Sequence, residues 1–253
     1  MDHLKNKAAV ITGASKGIGE AAARFMAAEG CAVVLAARTG SAVERIASEI
    51  EAGGGRARAV ACDVSRFEDV ERAASLCVEA FGRLDFVVNN AGLIDPIGRI
   101  EDLAPDDFAR VIDVNVKGVF HGLKAALPRM RDAGGVIVNI SSGAATSALE
   151  GWSHYCASKA AALSLTRCAA RENEDGSVRI VGLSPGTVAT DMQVSIKDSG
   201  LNPVSELDWS VHIPPEWPAR AIGWLCGPDA EEFGGVDVSL RDETIRRRIG
   251  LIA

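Results

Sequence analysis

One stretch of the sequence places a phenol and an amine where a helix would bring them together. Tyr155 is the only tyrosine of the chain, and Lys159 follows it by four residues, so both side chains would lie on one helix face. A phenol with an ordinary pKa of about 10 is a poor proton carrier at neutral pH, and a nearby ammonium group favours the phenolate. We therefore expect Lys159 to lower the pKa of Tyr155, which would make this phenol a usable proton carrier.

A serine hydroxyl is expected beside this pair. Ser142 precedes Tyr155 by thirteen residues and follows the apolar run 136–141, which has the length of a strand. Strand ends of an open parallel sheet face the ligand crevice, where Ser142 would reach a substrate carbonyl. A Tyr–Lys pair alone is most often a surface pair, but Ser142 and the glycine turn described next favour a catalytic site. No Gly-x-Ser-x-Gly elbow surrounds Ser142, which argues against a serine hydrolase.

A glycine-rich turn, residues 12–19, separates the first apolar run from the first helical pattern. Gly13 permits a tight turn, Gly17 lets the backbone approach a ligand, and Gly19 lets helix and strand pack closely. The N–H groups at the start of the helix then attract a pyrophosphate. The spacing is neither Gly-x-Gly-x-x-Gly nor that of a P-loop, so the turn predicts nucleotide binding through its place between strand and helix. The predicted contacts are Gly13, Ser15, Lys16, Gly17, Ile18 and Gly19.

The residue after the second strand indicates which dinucleotide is bound. Many NAD enzymes have an acidic residue there that holds the ribose 2′-hydroxyl, whereas this chain has Arg38 after two alanines. Arg38 can pair with a 2′-phosphate through two hydrogen bonds, and Lys16 would add a second positive charge. We therefore expect NADP(H) rather than NAD(H). The alternative is a surface arginine that begins a helix.

Apolar runs of strand length alternate with helical patterns along the chain, and no linker interrupts them. Such an alternation predicts a parallel sheet covered on both faces, here a single α/β domain (residues 1–253) with a doubly wound sheet of Rossmann type. The predicted strands are 8–12, 32–36, 57–61, 84–89, 136–141 and 179–184. The predicted helices run from 18 to a stop at 30 and over 41–52, 67–81, 105–131 and 153–171.

The segment 186–218 departs from this alternation. It contains four prolines, two tryptophans and two glycines, and it shows no clear period. Long irregular segments inside compact domains are usually functional loops, so we predict a substrate lid at about 186–218. The alternative is a disordered insertion.

Composition narrows the classes of partner. The 27 Lys and Arg against 34 Asp and Glu give a net charge of −7, which argues against nucleic acid as a binding partner. We interpret the basic run Arg246–Arg248 as the solvent-exposed face of a helix. No apolar run approaches the roughly 18 residues of a membrane span. The six cysteines have no Cys-x-x-Cys pair and no histidine at ligand spacing, which predicts reduced thiols, a cytoplasmic location and no metal.

In combination these residues resemble the short-chain dehydrogenase/reductase family over nearly the whole chain. The marks that carry the resemblance occur in the family's order along the sequence. They are the turn 12–19, Asp63 of Cys-Asp-Val, Asn89-Asn90-Ala91-Gly92, Asn115, Ser142, Tyr155, Lys159 and Pro185-Gly186-Thr187.

The resemblance implies a role for each of these positions. Tyr155 would be the general acid or base, Ser142 would orient the substrate oxygen, and Lys159 would hold the nicotinamide ribose. Asn115 would interrupt its helix and hold a water molecule of a proton relay. Further cofactor contacts would come from the adenine site, the cofactor floor and the carboxamide site. These are Asp63, Val64, Asn89, Ala91, Gly92, Pro185, Gly186 and Thr187.

The resemblance also implies an activity. We expect an NADP(H)-dependent enzyme that interconverts a carbonyl and a secondary alcohol by hydride transfer, assembled as a homodimer or homotetramer through its long helices. The chain ends with 235–239 and a charged tail instead of a Val-Asp-Gly-Gly strand end, and tail and lid are similar to the branch of sepiapterin and dicarbonyl reductases. The alternatives are a dinucleotide-binding regulatory protein without turnover and an NAD-dependent alcohol dehydrogenase of the same fold.

Overall fold

Seven parallel strands form the sheet on which the rest of the chain packs. A computed structural model describes residues 1–174 and 176–253 of the protein. Within those residues the sheet order is β3-β2-β1-β4-β5-β6-β7. The strands are β1 (Ala8–Thr12), β2 (Ala32–Ala37), β3 (Ala57–Ala61), β4 (Phe86–Asn89), β5 (Gly135–Ile140), β6 (Val178–Ser184) and β7 (Asp237–Ser239).

Helices cover both faces of this sheet. They are α1 (Gly17–Ala28), α2 (Gly40–Ala52), α3 (Phe67–Phe81), α4 (Pro105–Ile112), α5 (Gly118–Met130), α6 (Ser153–Glu172), α7 (Asp191–Ser199), α8 (Glu216–Leu225) and α9 (Glu243–Ile249). No helix in the described ranges is long and apolar enough to cross a bilayer.

The strand order puts a switch point at the middle of the sheet. From β1 the chain moves outward through β2 to β3, and it then returns to the other side of β1 with β4 and continues to β7. Loops at the carboxyl ends of β1 and β4 therefore diverge and leave a crevice between them. This arrangement confirms the predicted doubly wound α/β sheet of Rossmann type.

The five inner strands are almost fully buried on both faces because alternate side chains enter two separate apolar layers. In β1, Ala9 and Ile11 pack into the layer beneath α1 and α8, whereas Ala8 and Val10 pack into the layer beneath α3 and α5. All five residues of β1 are buried. This explains why the strands appear in the sequence as continuous apolar runs.

The structure differs from the predicted elements in two places. The helix predicted over 105–131 is divided by a π-helical segment, Asp113–Lys117, between α4 and α5. The segment 186–218 is partly regular, since it contains α7, a 3-10 turn at Trp209–Val211 and the start of α8. The expected lack of regular structure is therefore wrong for about half of this segment, whereas its role as a substrate lid stays a prediction.

The basic run Arg246–Arg248 lies on α9 but is not a plain solvated face. The guanidinium of Arg246 lies 5.3 Å from the ring centre of Trp217, and that of Arg248 lies 5.3 Å from the ring centre of Trp224. Arginine binds aromatic faces through the ring quadrupole while its stem covers apolar surface. Two of the three arginines therefore attach the C-terminal helix to α8.

Asp85 ties together the starts of three strands. Its carboxylate accepts hydrogen bonds from Arg83, from Lys7 at 3.1 Å and from the Ala8 N–H at 2.9 Å, while its backbone N–H donates to Ala8 and its carbonyl accepts from Val136. Burial raises the pKa of Asp85, but the bonds from Arg83, Ala8 and Lys7 outweigh burial and hold the pKa below its usual value. The ionised form therefore stabilises the fold.

We expect Asp85→Asn to lower the free energy of unfolding at pH 7 by about 2 to 3 kcal/mol, because it removes charge-assisted hydrogen bonds from a buried site. A carboxyl group whose pKa is lowered by folding stabilises the folded state at pH values above its unfolded pKa. The difference in the free energy of unfolding between wild type and Asp85→Asn should therefore shrink below about pH 4. Urea unfolding across this pH range, with the exposed Asp132→Asn as control, measures both effects. Equal stability of the two variants would contradict this role.

Candidate active site

A cavity of about 910 Å³ opens at the carboxyl ends of the strands. It lies at the switch point between β1 and β4, where open α/β sheets bind ligands. Sixteen of the predicted site residues line it, from every loop expected to contribute. They are Gly13, Ser15, Lys16, Gly17, Ile18, Arg38, Asp63, Val64, Ala91, Gly92, Ser142, Tyr155, Lys159, Pro185, Gly186 and Thr187.

Three predicted site residues lie behind the cavity wall instead. A Cβ on Gly19 would collide with the Gly13 carbonyl oxygen, so Gly19 serves the close packing of helix on turn. Asn89 is buried and donates to the Asn139 side chain at 2.8 Å. Asn115 is buried in the π-helical segment. These residues support the site and do not line it.

The glycine turn is shaped by contacts with the loop after β4. Gly13 and Gly17 have φ of +64° and +58°, a region that favours glycine, and a Cβ on Gly13 would lie 2.8 Å from Ala91 Cα. Thr12 Oγ1 accepts hydrogen bonds from the N–H groups of Asn90 and Ala91, at 3.0 and 3.2 Å. The turn therefore needs glycine for both conformation and space, and α1 begins directly at the cavity wall.

Tyr155 and Lys159 lie one turn apart on α6 and are both buried, as their spacing predicts. Lys159 Nζ lies 5.7 Å from the centre of the Tyr155 ring and donates a 2.7 Å hydrogen bond to the Ile140 carbonyl. Ser142 Oγ accepts a 3.2 Å hydrogen bond from the Ala144 N–H, and its hydroxyl acts to lower the pKa of Tyr155. A phenol, an amine and a hydroxyl are therefore brought together in one cavity.

The expected lowering of the Tyr155 pKa is wrong for this environment. Burial raises the pKa of Tyr155 to about 12, and the hydrogen bond from Ser142 opposes this only in part. Burial likewise lowers the pKa of Lys159 to about 8, against the attraction of Asp237. Desolvation dominates both groups because each is largely buried, and the phenol is protonated at neutral pH.

Asn115 joins the π-helical segment to the loop after β4 and to α6. Its amide donates to the Leu93 carbonyl at 2.8 Å and to Ser158 Oγ at 2.9 Å, and its oxygen accepts from the Leu93 N–H at 2.7 Å. A Cβ on Gly92 would lie 3.5 Å from Asn115 Oδ1 and 3.7 Å from Lys159 Nζ. The interruption of the helix at Asn115, which the family resemblance implies, is therefore present as the π-helical segment.

The two cations predicted to meet a phosphate differ in their surroundings. Lys16 forms a 2.7 Å ion pair with Asp191 at the start of α7, so its charge is already matched by a carboxylate. Arg38 is exposed at the cavity edge and makes no hydrogen bond or ion pair within the part of the chain that the structure describes. Of these two cations, Arg38 is the one without a partner among the described residues.

An apolar wall beside Tyr155 was not assigned from the sequence. It consists of Leu149, Trp152, Met192, Ile196 and Val204, which pack with Tyr155 and line the cavity. The Trp152 ring meets the Tyr155 ring edge-on, with 5.7 Å between centres. Trp152 and the Tyr155 motif are neighbours in sequence, but the three residues from 192 onward become recognisable only once α7 folds over the site.

The only tyrosine allows the Tyr155 pKa to be measured directly. Ultraviolet difference titration should show the phenolate appearing with a midpoint near pH 12, and the midpoint should rise further in Ser142→Ala because the stabilising hydrogen bond is lost. Tyr155→Phe removes the signal and serves as control. A wild-type midpoint below pH 10 would show that Lys159 outweighs burial.

Comparison with known proteins identifies the family. A family model described as short chain dehydrogenase matches residues 7–200. Cyclohexanol dehydrogenase of an Acinetobacter species is 34% identical over 236 residues, 92% of each chain. Meso-2,3-butanediol dehydrogenase of Serratia marcescens is 36% identical over 234 residues, again 92% of each chain.

A solved structure gives the same answer. A 3-ketoacyl-(acyl-carrier-protein) reductase from Brucella melitensis, crystallised with NADH, superposes with a TM-score of 0.84 at 31% identity, over 94% of this chain and 97% of that chain. The protein belongs to the short-chain dehydrogenase family and is an oxidoreductase of that family.

Proposed function

We propose that the protein interconverts a carbonyl and a secondary alcohol with NADP(H), and that Tyr155 transfers the proton. The observation that carries this proposal is the convergence of Tyr155, Lys159 and Ser142 in a cavity whose other end is the glycine turn. Relatives named as dehydrogenases of cyclohexanol and butanediol support the reaction class.

The cavity suits a nicotinamide dinucleotide in shape and chemistry. Gly13 and Gly17 leave room where a Cβ would fill the turn, and the first turn of α1 would hold a pyrophosphate. Asp63 and Val64 would hold the adenine, and Thr187 the carboxamide. When bound, the dinucleotide supplies or accepts the hydride.

The side chains of the protein itself would hold and transfer the proton. Because its pKa lies well above neutral pH, Tyr155 is protonated and can donate from Oη to a carbonyl oxygen as that oxygen gains charge. Ser142 would hold the same oxygen. Lys159, with a pKa of about 8, remains an ammonium at neutral pH and would favour the phenolate that donation leaves behind. Oxidation runs these steps in reverse.

NADP(H) preference rests on Arg38. Its guanidinium has no partner among the described residues and lies at the cavity edge, where it would donate two hydrogen bonds to a 2′-phosphate. The Brucella reductase was crystallised with NADH, so the family fold alone does not select the phosphate. The choice therefore depends on this side chain.

The apolar wall indicates the kind of substrate. Leu149, Trp152 and Ile196 offer carbon surface beside the reacting groups and no charge. A charged substituent against this wall would lose its hydration without a partner. We therefore infer neutral, largely apolar secondary alcohols and their ketones, a class that includes cyclohexanol.

Two further features accompany the activity. Phe108 on α4 and Phe120 on α5 are 42% and 47% exposed, which favours the expected homodimer or homotetramer through these helices. All six cysteines are unpaired, which fits the expected reducing cytoplasm.

We expect Tyr155→Phe to lower kcat for ketone reduction by about 100- to 10,000-fold, the usual contribution of proton transfer. Ser142→Ala should lose activity as well, whereas Cys168→Ser, on the exposed side of α6, should keep it. NADPH oxidation at 340 nm with cyclic ketones, aldehydes and dicarbonyls measures the rates. Dinucleotide binding without turnover of any carbonyl would favour a regulatory protein instead.

Arg38→Asp should raise the KM for NADPH by about 10- to 100-fold, because it replaces a charge-assisted hydrogen bond by repulsion. The KM for NADH should change little. Arg45→Asp on α2 makes the same charge change at another exposed position and should leave both values near wild type. Equal effects of Arg38→Asp on the two dinucleotides would refute the assigned role.

A further inference from the structure

Asp237 is an acidic residue in an unusual place, on the edge strand β7 facing the helix that carries Tyr155. Its Oδ2 accepts a 3.0 Å hydrogen bond from Ser141 Oγ, while its Oδ1 is buried and has no partner among the described residues. A Cβ on Gly182 would lie 2.8 Å from that oxygen. The carboxylate therefore extends over Gly182 toward the end of β5.

The end of β5 is held from two directions at adjacent residues. Lys159 Nζ donates to the Ile140 carbonyl at 2.7 Å, and the next residue, Ser141, donates to Asp237. Ser142, whose hydroxyl acts to lower the pKa of Tyr155, follows immediately. The Lys159 amine and the Asp237 carboxylate therefore hydrogen-bond adjacent residues of one short segment, which leads directly into the proposed catalytic serine.

We propose that Asp237 is a positioning residue, which fixes the segment 140–142 through Ser141 and keeps Lys159 in its ammonium form. This inference rests on the function proposed above. A buried amine without a nearby negative charge loses its proton readily, since burial penalises the charged form. Asp237 supplies that charge from β7, across the segment that both groups hold.

The other charged and titratable groups around these two are few. Tyr155 faces Lys159 from the same helix, as a neutral phenol, and Asn115 beside Gly92 carries no charge. Arg167, also on α6, attracts Asp237, but it is exposed and screened by water. Burial raises the pKa of Asp237, and Ser141, Arg167 and Lys159 oppose this. The attraction between Asp237 and Lys159 is therefore the main charge interaction available to the buried amine.

The test separates the charge of Asp237 from its hydrogen bond. Asp237→Asn keeps an acceptor for Ser141 and removes the charge, whereas Ser141→Ala removes the hydrogen bond and keeps the charge. Asp229→Asn makes the same charge change at an exposed position and is the control. Should Asp237→Asn not give a cooperative thermal transition, Asp237→Ser removes the charge with a smaller side chain.

The first readout is the pKa of Lys159 in the protein without added dinucleotide. The chain has seven lysines, so carbon-13 labelled lysine gives few signals, and Lys159→Arg identifies the one that matters. The wild-type midpoint should lie near pH 8 and fall by about one pH unit in Asp237→Asn. Ser141→Ala and Asp229→Asn should stay near the wild-type midpoint. An unchanged midpoint in Asp237→Asn, or an equal fall in Asp229→Asn, would overturn the proposal.

The second readout is the pH profile of NADPH-dependent ketone reduction. In Asp237→Asn the loss of kcat at high pH should begin about one pH unit earlier, with KM for the ketone little changed, because the ammonium is lost earlier. A loss of kcat equal at every pH would indicate a merely structural role and contradict the proposal. If the Lys159 midpoint moves but no carbonyl is turned over, the proposed function fails while the link to Asp237 stands.

Discussion

The hydrogen bond from Lys159 to the Ile140 carbonyl is the contact on which the arrangement of the site depends. A buried ammonium loses favourable hydration, and the fold must return part of it through dipoles and charges. Here the Ile140 carbonyl at the end of β5 accepts a 2.7 Å hydrogen bond from Lys159, and this bond fixes the position of α6 along the strands. Tyr155, one turn earlier, is thereby carried to Ser142, which leaves the same strand end two residues after Ile140.

Nearer its C-terminal end, the same helix is held by a chain of buried polar side chains instead of by apolar contacts alone. Asn89 on β4 donates to Asn139 on β5 at 2.8 Å, and Asn139 donates to Thr166 on α6 at 2.9 Å. Apolar contacts tolerate sliding, whereas a buried amide is costly when its partner moves. These side chains fix the register of α6 on the sheet. The helix is therefore attached to the sheet at Lys159 and at Thr166, which lie about two turns apart.

The sequence was sufficient for the features that depend on local pattern. β1 and β3 were predicted at their observed bounds, because both are short runs ended by turn residues. The glycine turn was also placed correctly, since Gly13 and Gly17 occupy backbone conformations that other residues rarely adopt. In each case neighbouring residues alone determine the outcome.

Features that depend on distant contacts could not be predicted. α7 has few apolar residues and is fixed to the site by Ile196, so its pattern was too weak to indicate a helix. β7 is three residues long and gains its partners only from β6. The pKa of Tyr155 depends on burial beneath helix and wall, a consequence of packing that spacing along α6 does not contain.

The groups at the two ends of the cavity differ in their exposure to water. This explains why the chemistry of one end could be predicted from the sequence and that of the other could not. At the glycine turn the charges are exposed: Lys16 and Asp191 are 70% and 75% accessible, so their ion pair contributes at most about 1 kcal/mol. Such a pair can exchange partners, and its residue types alone suggested an anion site. At Tyr155 the groups are buried, so desolvation shifts the pKa of the phenol and of the Lys159 amine, and Asp237 opposes the shift of Lys159. Chemistry at that end is therefore a property of the assembled fold, with Ser142, Lys159 and the apolar wall acting as one environment.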